Sequence, residues 1–263
     1  MPNIIVCVKH SYDVQQLRYD PSTRKFMLAG SPKKMSDMDR RAVEEAIRIK
    51  EKHGGKVIAL TVGNEDSIDT IRLAYAMGAD EGYAVIIKDK DYESELDTNN
   101  IAYILAQAIK KMGNFDLILC GAASTDGYSK QVPPKLAVYL GLPFINFVRE
   151  LRIEGNYVIG TSDYEDGLYT FKAPLPAVVA VTLDINEPRN PTPMAIIRAS
   201  RKPVNTWTLK DLNIDRVTSS IEIIDTYVPE IKRKHVIFDA STDDKIDKAV
   251  QELIDALRKE GVI

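Results

Sequence analysis

Short apolar segments alternate with amphipathic helical segments over the first two thirds of this chain, and this alternation limits the folds it can adopt. Four apolar segments have the length and residue types of strands, and they cover residues 3–8, 56–62, 83–87 and 115–120. Between the last two, apolar residues recur with helical spacing from Ile101 to Met112, and Gly113 is expected to end that helix. Strands that alternate with helices favour a parallel sheet with helices on both faces.

Two more helices are predicted from signals at their ends. Ser36 has Asp39 three residues after it, which is the spacing of a capping box, and we expect a helix to begin there. A helical apolar pattern from Ile68 to Tyr75 is followed by Gly78, which is typical of a helix end.

The pattern changes after residue 148. Two turn signals, Gly155-Asn156 and Asp166-Gly167, separate short strands and predict a small antiparallel layer. The next apolar run, 177–181, does not alternate with polar residues, which is typical of a strand buried on both faces. After residue 203 we predict a polar, irregular segment to about residue 232 and then an amphipathic helix over 241–259.

Together these patterns predict an α/β fold. Its centre would be a doubly wound, mostly parallel nucleotide-binding sheet, with the small antiparallel layer beside it. We assign residues 1–232 to this domain. The last helix, in the C-terminal residues 233–263, either packs on this domain or extends from it as an arm.

Composition and motifs exclude several classes of function. The net charge of the 263 residues is −3, which argues against a dedicated nucleic-acid binder. The first residues show no signal-peptide pattern and no apolar run approaches the length of a membrane span, so we expect a cytoplasmic protein without membrane insertion. Three histidines and two cysteines lack metal-ligand spacing, and no nucleophile or phosphate-loop motif of a known enzyme class is present. A carrier or binding protein, rather than an enzyme, is favoured.

Four segments should meet where a doubly wound sheet binds its ligands, beyond the carboxyl ends of its strands. They are residues 7–9, 36–39, 62–64 and 121–134. The last reads GAASTDGYSKQVPP, a small hydroxyl-bearing loop before a helix that begins near Val132. Hydroxyls and N–H groups at a helix start favour a phosphate, and Lys130 would add positive charge. An ordinary helix start can have the same composition, so the residues alone leave both interpretations open.

A second unusual segment follows the run 177–181. It reads NEPRNPTPMAIIRASRK, and its prolines predict a stiff, irregular surface loop over residues 186–203. Met194, Ile196 and Ile197 are apolar where a plain connector would be polar. Either they pack back onto the core, or they are exposed for a partner.

The two segments together resemble the beta subunit of electron transfer flavoproteins. In that family the nucleotide loop reads G-x-x-S-x-D-G-D-T-x-Q-V-G-P, and this chain departs from it at Tyr128, Ser129 and Pro133. The short motifs LPAVV, NEPR, AVEEA and AMGAD agree with that family as well, and the resemblance runs from about residue 3 to residue 262.

The resemblance implies an adenine-nucleotide site, an FAD shared with an alpha subunit, and a docking loop. The nucleotide would be AMP or, in the electron-bifurcating branch, a second FAD. Its site residues would be Cys7, Ser36, Asp37, Met38, Asp39, Val62, Ala122, Ser124, Thr125, Asp126, Ser129, Lys130, Gln131 and Val132. Partner recognition would fall to Arg189, Pro193, Met194, Ile196 and Ile197, with the anchor position at Pro193. Val14 and Met38 would face the flavin, and the C-terminal arm would embrace the alpha subunit.

The implied function is electron transfer. Electrons would arrive from acyl-CoA or related dehydrogenases and leave to a quinone-reducing oxidoreductase or another acceptor, without bond-making chemistry in this subunit. Three alternatives remain: the bifurcating flavoprotein that uses NADH, a stand-alone nucleotide-binding module of the universal-stress type, and an ATP-using adenylating enzyme. The second needs neither the NEPR segment nor an arm, and the third lacks its pyrophosphate-loop glycines.

Overall fold

The computed structural model describes residues 1–88, 96–230 and 233–263, which form two compact units, Met1–Thr226 and Tyr227–Ile263. No helix of the described residues combines the length and the apolar character needed to span a membrane. The predicted irregular segment before the arm includes residues 231–232, which lie outside the described residues.

The first unit is built on one large sheet. Its strands and those of a separate two-stranded sheet are β1 (Asn3–Cys7), β2 (His10–Tyr12), β3 (Lys33–Met35), β4 (Lys56–Gly63), β5 (Glu81–Ile86), β6 (Leu117–Gly121), β7 (Phe144–Glu154), β8 (Tyr157–Tyr164), β9 (Gly167–Pro174), β10 (Ala177–Val181) and β11 (Asn205–Trp207). The large sheet has the order β11-β5-β4-β1-β6-β10-β7-β8-β9, while β2 pairs with β3. It is parallel from β11 to β7 and antiparallel from β7 to β9. The predicted fold class is confirmed.

Helices cover both faces of this sheet. They are α1 (Asp37–His53), α2 (Ile68–Met77), α3 (Thr98–Met112), α4 (Val132–Leu140) and α5 (Pro193–Arg201), and α6 (Asp243–Lys259) lies in the second unit. Alternate residues of β1 enter two different cores: Ile4 and Val6 pack in the cluster that contains α1, and Ile5 packs in the cluster that contains α3. All five residues of β10 are buried, as the unbroken apolar run predicts.

The two winding directions of the sheet separate at β1, which lies between β4 and β6. The chain passes outward from β1 to β4 and β5, and then returns to place β6 on the other side of β1. The carboxyl ends of β1 and β6 therefore border the crevice in which ligands of such folds bind.

The predicted antiparallel strands are present as β7, β8 and β9, and they continue the main sheet because β7 also pairs with β10. Two local predictions need correction. Helix α1 begins where predicted, but Ser36 makes no capping hydrogen bond, because its hydroxyl interacts with Thr125 instead. Residues 205–207, predicted as irregular, form the edge strand β11, where Trp207 packs on Tyr83 with ring centroids 4.8 Å apart.

Candidate functional site

A cavity of about 330 Å³ opens at the carboxyl ends of β1, β4 and β6. Its lining comes from these strand ends, from the start of α3 and from the loop between β6 and α4. The lining residues are Cys7, Val8, Lys9, Asp39, Val62, Leu96, Asp97, Thr98, Ile101, Leu105, Cys120, Gly121, Ala122, Ala123, Ser124, Gly127, Ser129, Lys130, Gln131, Val132 and Pro133. This volume is at the lower end of the range for small-molecule pockets.

The strand ends supply an apolar part of the cavity. Cys7 and Cys120 are register partners on β1 and β6, and both are buried free thiols. A hydrogen bond with Cys7 and burial raise the pKa of the Cys120 thiol, so it stays neutral. Val62 and Leu105 add apolar surface beside the thiols. A flat, weakly polar ring system would be compatible with these walls.

Asp39 is a buried carboxylate at the start of α1, and it ties α1 to two strand ends. It accepts hydrogen bonds from the N–H of Lys9 at 2.8 Å and the N–H of Gly121 at 3.0 Å. Burial raises the pKa of Asp39 to about 7, although these hydrogen bonds oppose the shift. A Cβ at Gly121 would lie 2.5 Å from the Asp39 carboxylate, so the close approach requires glycine at this position.

The loop after β6 is held in place through two of its own residues, Thr125 and Asp126, which do not line the cavity. Asp126 pairs with the Lys9 ammonium at 2.6 Å, and Lys9 holds the pKa of this carboxyl below its usual range even though burial would raise it. Thr125 accepts a hydrogen bond from the N–H of Asp37 at 3.0 Å, and its own N–H donates to the Ser36 hydroxyl at 3.2 Å.

The structure brings most of the predicted nucleotide-site residues to one cavity. Nine of them line it: Cys7, Asp39, Val62, Ala122, Ser124, Ser129, Lys130, Gln131 and Val132. Ser36, Asp37, Thr125 and Asp126 support the loop from outside the lining, and Met38 lies beside them at the close approach of Gly121. Their part in binding a nucleotide stays a prediction.

Sequence reasoning missed the wall formed by the start of α3. Leu96, Asp97, Thr98, Ile101 and Leu105 line the cavity. The Asp97 carboxylate caps α3 by accepting from the N–H groups of Asn99 and Asn100, both at 2.8 Å. The predicted topology was sufficient to place this wall, because a helix that follows a parallel strand begins at the carboxyl edge of the sheet, where the cavity opens.

The predicted docking loop contains a helix, α5, over most of its apolar part. Thr192 is the N-cap and accepts a hydrogen bond from the N–H of Ala195 at 3.2 Å, while Pro193 occupies the first turn. Proline there needs no N–H donor and has the φ angle of a helix, so it starts the helix rather than breaking it. The prediction of an irregular loop was therefore wrong over residues 193–201.

The NEPR word ties the segment before α5 to helix α1. Asn186 donates to the Glu45 carboxylate at 3.0 Å, Glu187 pairs with Arg41 at 3.3 Å, and Arg189 pairs with Glu44 at 2.8 Å.

Arg189 also pairs with Glu51 at 2.7 Å, which makes it the most connected residue of the segment. Burial would raise the pKa of Glu44, but hydrogen bonds from Arg189 and Arg48 outweigh it and hold the pKa below its usual range. Arg189, predicted to take part in partner recognition, thus fixes the base of the segment.

The other end of α5 is fixed as well, and its apolar side chains face outward. Lys202 donates to the carbonyl of Ala79 at 3.1 Å, and its ammonium lies 4.1 Å from the centre of the Tyr75 ring. Met194, Ile196 and Ile197 are 58%, 52% and 47% exposed. These side chains are therefore exposed rather than packed on the core, and their use in partner recognition stays a prediction.

Comparison with known proteins agrees with the motifs. Residues 25–212 match the family model described as "Electron transfer flavoprotein domain". The chain is 34% identical to the electron transfer flavoprotein subunit beta of Thermoanaerobacterium thermosaccharolyticum, over 99% of this chain and 100% of the relative. Identity to the subunit of the same name from Bacillus subtilis is 33%, over 99% of both chains. A third relative with this name, from Megasphaera elsdenii, is 34% identical over 76% of both chains.

Proposed function

The chain belongs to the family of electron transfer flavoprotein beta subunits, and we propose that it pairs with an alpha subunit that holds most of an FAD. In this role it would carry electrons from acyl-CoA or related dehydrogenases to a quinone-reducing oxidoreductase or another acceptor. The observation that carries the proposal is the presence, in one chain of this family, of both a ligand cavity at the sheet edge and a rigid helix with exposed apolar residues.

AMP is the ligand that suits the cavity best. The apolar walls at Cys7, Val62 and Leu105 would accept the adenine ring, and the polar loop with Ser129 and Lys130 would hold the phosphate. The modest volume, about 330 Å³, favours a mononucleotide over the second FAD of the bifurcating alternative. AMP would bind without reacting, since its proposed role is to complete the structure of the subunit.

The residues of this chain that would approach the shared FAD are Val14 and Met38. Val14 is 39% exposed, and Met38 lies at the start of α1 beside the nucleotide loop. When bound, the FAD supplies the acceptance and release of electrons. The exposed Val14 and the partly buried Met38 are apolar, and apolar side chains at these positions suit the exclusion of water beside a flavin.

Helix α5 would dock on the partner dehydrogenase. Its exposed apolar side chains are held on a helix that Arg189 fixes at one end and Lys202 at the other. Little conformational entropy would be lost on binding, so each apolar contact would contribute more fully to affinity. Met194 and Ile197 are three residues apart and share a face of the helix, which makes them the candidate anchors.

The second unit would serve as the arm that embraces the alpha subunit. Helix α6 carries Ile246, Val250 and Leu253, which are exposed although they share one apolar stripe with the half-buried Leu257. A stripe of this kind needs a partner surface.

We propose a cytoplasmic location for the protein, because its two cysteines are free thiols, as expected in a reducing compartment.

Purification of the chain with its alpha partner tests the proposal. We expect the absorbance spectrum of one flavin per heterodimer and the release of one AMP on denaturation. Removal of residues 234–263 should weaken the heterodimer more than it lowers the thermal stability of the isolated chain. Two flavins would support the bifurcating alternative, and a protein without flavin or nucleotide would overturn the proposal.

A further inference from the structure

Among the described residues two lysines line the cavity, and a carboxylate pairs with one of them. The Lys9 ammonium pairs with Asp126 at 2.6 Å. Among the described residues no carboxylate pairs with Lys130, whose ammonium instead lies 5.1 Å from the centre of the Tyr128 ring and 5.2 Å from that of Phe147. Aromatic faces attract a cation without cancelling its charge, so Lys130 keeps a full positive charge for an anion.

Lys130 and the two aromatic residues beside it, Tyr128 and Phe147, form a cluster, and all three have an uncommon backbone conformation. The φ angles of Tyr128, Lys130 and Phe147 are 44°, 58° and 52°, all in the left-handed region that non-glycine residues rarely adopt. Tyr128 and Lys130 lie in the loop before α4, whereas Phe147 lies in strand β7, and its N–H donates a hydrogen bond to the Asn146 side chain at 2.9 Å. Backbone strain of this kind persists only where the surrounding structure enforces it, and it is concentrated at functional sites. Here three strained residues converge on one ammonium.

The start of helix α4, which follows the loop, is poorly suited to bind an anion in place of the Lys130 ammonium. Helix α4 has proline at 133 and 134, and proline has no N–H to donate. The N-cap residue, Gln131, makes no side-chain capping bond. The start of α4 therefore offers fewer donors to a phosphate than an ordinary helix start. Of the described residues that line the cavity, Lys130 is therefore the strongest remaining anion ligand.

We propose that Tyr128 and Phe147 are positioning residues that hold the Lys130 ammonium at the exposed rim of the cavity, where it binds the phosphate of a nucleoside monophosphate. The rings restrict a flexible side chain to one place, so less entropy is lost when the phosphate binds. The cluster therefore makes the site prefer a nucleotide over the corresponding nucleoside. This inference rests on the proposed adenine-nucleotide site.

Titration of the nucleotide-free heterodimer with AMP and with adenosine tests the inference. Tyr128→Leu should weaken AMP binding about two- to fivefold, the size of a cation–aromatic contact at an exposed site, and leave adenosine binding unchanged. Tyr128→Phe keeps the ring and should retain the affinity of the wild type. Tyr128 is 56% exposed, so neither variant disturbs the core. Phe147→Leu should change the ratio of AMP to adenosine affinity in the same direction.

The outcomes separate the inference from the function on which it rests. Wild-type protein that binds AMP with the same affinity as Tyr128→Leu overturns the inference and leaves the nucleotide site intact. Equal losses of AMP and adenosine binding would show a structural role only and would also overturn it. A wild-type heterodimer that binds neither compound overturns the nucleotide site, and the inference with it.

Discussion

The nucleotide loop, residues 121–131, and the docking segment, residues 186–203, are both connections between regular elements, but their side chains are arranged in opposite ways. The loop directs polar groups such as Ser129 and Lys130 toward a cavity, and an internal ion pair fixes it to Lys9, two residues after the end of β1. The segment directs apolar groups outward and uses its polar residues to bind α1 beneath it.

The difference follows from what each region would bind. A small anionic ligand is best held by charges and hydroxyls in a partly closed cavity, where water competes less. A protein partner is best held by apolar side chains on a rigid support, because their burial drives association and little ordering is needed. In each region the polar residues outside the contact surface supply rigidity.

The largest effect is expected in the nucleotide loop, from Ser129→Ala combined with Lys130→Ala. Each lost charge-assisted hydrogen bond should cost roughly 1.5–3 kcal/mol of binding free energy, so AMP should be lost during purification. The measurement is the AMP released on denaturation. Electron transfer from the dehydrogenase to FAD-loaded heterodimer should be little changed, and an equal loss there would show that the two regions are not independent.

The pH dependence of stability should differ in sign between the two regions. The folded-state pKa of Asp39, about 7, is above its ordinary value of 3.8, so the folded protein binds the extra proton between these values. The free energy of unfolding should therefore fall as pH rises from about 4 to about 7, by about 4 kcal/mol from this residue. Asp39→Asn should remove this slope in urea unfolding curves, even if the lost hydrogen bond lowers stability at every pH.

Glu44, beneath the docking segment, provides the opposite case. Its pKa is lowered in the folded state, so its contribution is present above its unfolded pKa and is lost as pH falls through the folded pKa. Glu44→Gln should remove a slope of the opposite sign, at acidic pH. If Asp39→Asn and Glu44→Gln leave the same pH profile as wild type, these two carboxyls are not what distinguishes the regions.

Truncation of an apolar side chain on helix α5 should lower binding free energy by less than the loop variant does. Met194→Ala removes an exposed candidate anchor and should weaken productive encounter with the dehydrogenase by about 2 kcal/mol, or roughly 30-fold, without change in flavin content. The measurement is the rate of flavoprotein reduction at varied dehydrogenase concentration. Val138→Ala, at an exposed apolar residue of α4, is the matched control.

Two further variants locate the anchor. Pro193→Ala tests the position that the family resemblance favours. Replacement of residues 190–197 by a Gly/Ser linker removes every candidate anchor, and an unchanged rate in that variant would reject the docking assignment.

The smallest effect is expected from the support of the docking segment. Arg189→Met leaves Glu44 with one cation, Arg48, and should lower the free energy of unfolding by about 1–2 kcal/mol because the Glu44 side chain is only 3% exposed. Arg72→Met, which breaks an exposed pair with Asp69, is the control and should cost under about 1 kcal/mol. Equal effects in both variants would show that the NEPR network adds no rigidity.

Periodicity and turn signals were sufficient for most of the fold. Strands β1, β4, β5 and β6, the ends of α2 and α3 at Gly78 and Gly113, and the buried strand β10 all agree with prediction. The predictions were wrong where one residue type is compatible with two different local structures. The prolines predict an irregular loop, but Pro193 is in the first turn of a helix. The spacing of Ser36 and Asp39 predicts a cap, but Ser36 interacts with Thr125, 89 positions later.

The sequence by itself determined the alternation of elements, the two unusual connections and the polar types they carry, because these depend on local spacing and composition. Only the tertiary structure decided which residues meet. It placed the start of α3 in the cavity wall, paired the NEPR residues with α1, and left Lys130 on two aromatic rings. Contacts between residues far apart in the chain depend on how helices and strands pack, and no local pattern in the sequence records that packing.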